Sequence, residues 1–136
     1  VRRPARPPRT ARLSLHFSLS HSHGLILAGI ASAPVGVDVQ GVPGPETVTL
    51  CAPALHPAEQ AEIAGAPESL RPVAFARLWA RKEAYLKGLG TGIGHGVGAR
   101  YLGERGGDTA PARPAGWDIR SRADPRGAPW CSGLVD

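Results

Sequence analysis

Cysteine is scarce in this chain: Cys51 and Cys131 are the only two in 136 residues, in no metal-ligand spacing and with no further pair to build a disulfide framework. A reduced protein of the cytoplasm is the expectation from that usage. Aromatic residues make up only 5%, while 18 Gly and 14 Pro approach a quarter of the chain; long loops around a modest core follow. No apolar run nears the roughly 18 residues of a membrane span. The amino terminus is arginine and proline with no secretory apolar segment after it, so a soluble, unexported protein without a membrane partner is expected. Lysine is nearly absent, the net charge of +5 resting on 14 Arg with only Lys82 and Lys87 beside them. Such a surface favours acidic partners or phosphates. The arginine-rich VRRPARPPRTAR holds no aromatic side chain on which a base could stack, which favours a solvated, proline-stiffened arm over a nucleic-acid contact.

The length suits one domain, residues 1–136, with an irregular arm over 1–12 where Pro4, Pro7 and Pro8 exclude regular helix. Beyond it Leu13, Leu15, Phe17 and Leu19 alternate with Ser14, His16, Ser18 and Ser20, the period of a strand whose apolar face is buried. LILAGIA, Leu25 to Ala31, is a second strand, and VGVDVQ a third with Val35, Val37 and Val39 on one face and Gly36, Asp38 and Gln40 on the other. Pro43, Pro45 and Pro53 make 41–53 a loop. A short helix is expected within 56–65 and a long one from Arg71 to about Lys87, opened by Pro72 and closed by Gly88 or Gly90. ARYLG and GWDIR could be short strands; the carboxyl end reads as turns.

The long helix contains the most informative stretch, FARLWARKEAYLKGLG. At about 100° per residue, Phe75, Leu78, Trp79, Tyr85, Leu86 and Leu89 form one apolar arc with Lys82 at its middle. Glu83 and Lys87 are an i,i+4 pair on its shoulder, and Arg77 and Arg81 point toward solvent. Lys82 has two readings: a stem lying on apolar surface with its ammonium at the edge, or a charge in a cleft balanced by phosphate or by Asp38. Asp38 and Gln40, two apart on a strand, project from one face about 6.5 to 7 Å apart. With Glu83 they offer three oxygen ligands, a set that suits Mg²⁺ or Ca²⁺ with water and phosphate completing the shell. By spacing alone, an ordinary exposed strand face remains the commoner explanation of Asp38. His21 and His23 lack a third nitrogen or sulfur ligand for zinc. The glycine run from Gly88 to Gly98 follows a helix and lacks a Gly-Lys-Ser/Thr ending, so it reads as a loop beside a site, not a phosphate loop.

FSLSHS, then VGVDVQ, then LWARKEAYLKGLG, in that order, resembles the 4'-phosphopantetheinyl transferases, specifically the longer pseudo-dimeric type serving peptide and polyketide synthases. Trp117 in GWDIR and the terminal DPRGAPWCSGLVD resemble that family's closing strands, and Ala5-Arg6-Pro7 stands at its Gly-Lys/Arg-Pro segment. The resemblance implies an α+β fold, an antiparallel sheet packed against one long helix, with one full pseudo-repeat and the end of the other. A chain incomplete at its amino end is thereby expected, lacking one cleft wall and the partners of its exposed strands. Gln40 departs from the Glu of many relatives, which implies weaker metal binding.

What the resemblance further implies is a holo-[acyl-carrier-protein] synthase type of activity. Phosphopantetheine would pass from coenzyme A to a serine of an acyl or peptidyl carrier protein, with Mg²⁺ on Asp38, Gln40 and Glu83. Glu83 would orient or deprotonate the serine and Lys87 would contact the pyrophosphate. Ser20, His21, Arg6 and Lys82 would hold the coenzyme, while Arg77 and Arg81 could dock the acidic carrier. Two other readings stand beside it, an inactive fragment or pseudoenzyme of the same family and a basic nucleic-acid-binding domain. A monomer, or weak self-association through unpaired strand edges, is expected.

Overall fold

The computed structural model describes residues 14–92, 96–104, 110–123 and 130–135. In chain order these form β1 (His16–Ser22), β2 (Leu25–Ala31), β3 (Gly36–Gly41), α1 (Pro45–Cys51), α2 (Pro57–Gly65), α3 (Arg71–Leu89), β4 (Ile119–Ala123) and β5 (Trp130–Val135). Strands β1 and β2 make a two-stranded antiparallel ribbon, and β3, β5 and β4 a separate antiparallel sheet in that order. The class expected from the sequence, α+β with an antiparallel sheet against one long helix, is the one observed.

α3 starts at Arg71 with a proline in its first turn and ends at Gly90, whose φ of 73° is left-handed and costs glycine little. α1 occupies the segment expected to be loop. Pro45 stands in its first turn, where a missing N–H and a fixed φ are tolerated, with Glu46 beside the positive helix end. β5 also arises where the sequence reads as turns; its residues pair with β3 from Gly36↔Val135 to Gly41↔Trp130. No strand forms at 99–103.

The ribbon faces the opposite way from the expectation. Ser18 and Ser20 are buried, while Leu15, Phe17, Leu19, Ile26 and Ile30 are 62 to 76% exposed. The cause lies in β3. Among the described residues no strand is backbone-paired to its second edge, where β1 packs instead, and the hydroxyls of Ser18 and Ser20 accept the backbone N–H groups of Val37 and Val39 at 3.0 and 3.1 Å. Buried amides need acceptors, and serines at every second position supply them. The alternation then turns the apolar side chains outward, leaving an apolar face uncovered among the described residues.

α3 lies across the β3 face of the sheet at a separation that only glycine permits. A Cβ on Gly36 would stand 1.7 Å from the Ala84 carbonyl oxygen. Backbone meets backbone there, so the strand carrying Asp38 and the helix turn carrying Glu83 and Lys87 are set without side chains between them. The core beside this contact joins Val48, Leu55, Ile63, Phe75, Leu78 and Leu102. Gly36→Ala must push helix and strand apart; a loss of about 1–3 kcal/mol or more is expected in urea unfolding, the scale of core overpacking.

Candidate active site

An open cleft of about 390 Å³ between ribbon, sheet and helix is lined by Ser20, His21, Asp38, Gln40, Glu83 and Lys87 among others. Asp38 is at its centre, buried to 4% exposure. Its Oδ1 accepts from Ser20 Oγ at 3.2 Å and from Lys87 Nζ at 2.9 Å, and its Oδ2 from the Gln40 amide at 2.6 Å. Lys87 also donates to the Val37 and Leu19 carbonyl oxygens at 3.1 and 3.4 Å. Glu83, one helical turn before Lys87, is buried. Burial raises its pKa, as does the negative charge of Asp38, while Lys87 and a hydrogen bond from Trp79 oppose the rise.

Six of the residues singled out from the sequence therefore meet: Ser20, His21, Asp38, Gln40, Glu83 and Lys87. Arg6 lies outside the described residues. Lys82 was expected in the same cleft and is elsewhere. Its ammonium is buried on the far side of α3, 2.8 Å from Glu59 Oε2, and donates to the Val97 and Arg100 carbonyl oxygens. Burial lowers its pKa, with Glu59 opposing. Arg81, expected in solvent, is also buried; it donates to the Leu102 carbonyl at 2.7 Å and to Ser121 Oγ at 2.8 Å. Arg77 is exposed as expected, and Leu89, assigned to the anchoring arc, is 42% exposed.

Both corrections have one cause. α3 is covered on two sides, by the sheet and by α2 with the segment 96–104. Lys82 and Arg81 tie that segment down through its carbonyls, and Glu59 completes the tie by accepting the Leu102 amide at 2.7 Å. Ser18, Trp79 and Glu59 were the residues that reasoning on sequence overlooked. The alternating serines were a signal for the first, and Glu59 three residues after His56, whose amide it accepts at 3.0 Å, was one for the third.

The donors in the cleft fit a hard divalent cation. Asp38 and Glu83 offer carboxylate oxygens and Gln40, whose amide N–H faces Asp38 here, could add its oxygen by turning over; the mutual repulsion of the two carboxylates is what such a cation relieves. Among the described residues no three His, Cys, Asp or Glu side chains gather as a metal site, so the amide, water and a ligand's own oxygens would share the shell.

Residues 34–105 match the sequence profile of the 4'-phosphopantetheinyl transferase superfamily. The chain belongs to that superfamily. Among curated relatives, the 4'-phosphopantetheinyl transferase psf-1 of Bacillus pumilus is 31% identical over 84 residues, 62% of this chain and 36% of its own length. That of Bacillus subtilis is 27% identical over 93 residues, covering 68% and 41%. HetI of Nostoc sp. is 32% identical over 93 residues, covering 67% and 39%. This superfamily member thus matches about two fifths or less of each of those transferases. No helix among its described residues is long and apolar enough to cross a membrane.

The two lysines should behave differently on removal. Lys82→Met leaves Glu59 buried without its cation, and urea unfolding should show a loss of about 3–5 kcal/mol. Lys87→Met should cost less than Lys82→Met, because Asp38 keeps its donors Ser20 and Gln40 and the lysine side chain is already 33% exposed. Tyr101, bonded to Glu62 and buried, has its phenol pushed up to about 12 from 10.0, burial first and Glu62 second. Between those values the unfolded chain has lost the proton that the folded chain keeps, so stability falls as pH rises through that window. Alkaline denaturation should show this slope, and Tyr101→Phe should remove its share.

Proposed function

We propose that this superfamily member transfers the 4'-phosphopantetheine group of coenzyme A to a serine hydroxyl of an acyl or peptidyl carrier protein, in a Mg²⁺-dependent reaction. The observation that carries this reading is the meeting of Asp38 and Glu83 in one cleft with Lys87 between sheet and helix. Asp38, Glu83 and the oxygen of Gln40 would hold the metal, which when bound would neutralise charge on the pyrophosphate oxygens. Glu83 would accept the serine proton, a role suited to a carboxylate whose basicity is raised by burial. The serine oxygen bonds to the phosphorus that carries the pantetheine arm, the bond from that phosphorus to the oxygen bridging the two phosphorus atoms breaks, and adenosine 3',5'-bisphosphate leaves with the electron pair. Lys87 would meet the charge on the phosphates, and His21, exposed at the cleft mouth, would help to hold the coenzyme's other phosphate.

A second reading, a chain that is inactive by itself, is favoured by one observation. The outer face of β1 and β2 is apolar and, among the described residues, uncovered, as expected of a surface meant to be packed. An apo carrier protein incubated with coenzyme A and Mg²⁺ separates the two: gain of the phosphopantetheine mass supports the transferase, and its absence supports the inactive chain. Asp38→Ala and Glu83→Ala should each slow labelling by at least about a hundredfold, the scale of losing a group that stabilises developing charge. Labelling at the parent rate by both variants would exclude this cleft as the reaction centre.

A further inference from the structure

We propose that Lys87 is a displaceable occupant of the metal site: it neutralises Asp38 in the ligand-free chain and must yield that carboxylate for a divalent cation to bind well. The inference rests on the reading that Asp38 and Glu83 hold a divalent cation. An ammonium has three N–H donors and no acceptor. Lys87 directs all three at protein oxygens, Asp38 Oδ1, the Val37 carbonyl and the Leu19 carbonyl. A phosphate can engage Lys87 through a direct hydrogen bond only after one of these is given up. Asp38 accepts from three donors, Ser20 and Lys87 on one oxygen and Gln40 on the other.

The two partners differ in freedom. Asp38 is fixed in the sheet with its side chain 5% exposed, whereas the Lys87 side chain is 33% exposed and can swing. A divalent cation on Asp38 would meet the ammonium as a like charge at a partly buried site, where water screens it poorly. Phosphate relieves that conflict, because it offers the ammonium another anion. Metal and phosphate-bearing coenzyme would then favour one another's binding, with Lys87 as the element that couples them. The ligand-free chain would hold metal weakly for the same reason.

Mn²⁺ binding to the chain, read by the loss of the free-ion electron paramagnetic resonance signal with no carrier protein present, tests this without reference to turnover. Lys87→Met and Lys87→Gln should each bind Mn²⁺ about tenfold tighter than the parent, and Lys87→Arg, which keeps the charge, should not. Coenzyme A should tighten Mn²⁺ binding to the parent and do so less in Lys87→Met. Circular dichroism confirms the fold of each variant. Parent-like Mn²⁺ affinity in both neutral variants, with binding abolished in Asp38→Ala, would overturn the displacement while leaving the metal site standing. Unchanged binding in Asp38→Ala and Glu83→Ala would overturn the metal site and this inference with it.

Discussion

The amides of Val37 and Val39 need acceptors on a strand edge that no described strand pairs through its backbone, and two serine hydroxyls of β1 meet that need. Much of the molecule follows from this substitution of side chain for main chain. It fixes the register of β1 against β3, brings Ser20 to Asp38, and places His21 at the cleft mouth. It also dictates that the other side of the ribbon carries Leu15, Phe17, Leu19, Ile26 and Ile30 outward. The polar face is the inner one because an unpaired buried amide costs more than an exposed leucine.

That inversion marks where reasoning from sequence stops. Period-two alternation identified β1 and the bounds of β2 were right to the residue, but alternation says only that two faces differ, not which one is buried. α1 was hidden by its prolines, since the same residue that breaks a helix interior opens a first turn. β5 was legible only through the family resemblance; its local sequence is Gly- and Pro-rich, and its strand state comes from pairing with β3 and β4.

The grouping of Ser20, His21, Asp38, Gln40, Glu83 and Lys87 was legible through the family resemblance, since by spacing alone Asp38 reads as part of an ordinary strand face. Lys82 was the exception. A helical wheel correctly put it among buried residues, yet a wheel cannot name the neighbour, and α3 has neighbours on two sides. Lys82 and Glu83 are adjacent letters of one motif with separate duties: the first ties 96–104 to the helix through Glu59 and two carbonyls, and the second faces Asp38. A motif read as one signature is here divided between two sides of the helix.

The contact between Gly36 and Ala84 has a consequence for engineering the cleft. At Gly36 the strand meets the helix main chain to main chain, so the spacing at that crossing, two residues from Asp38, is a property of two backbones. Resizing core residues elsewhere would have little purchase on it. A designer seeking a wider cleft would have to re-thread the crossing itself, whereas the charge of its lining could be altered at Gln40, a neutral amide on the cleft wall, without touching that crossing.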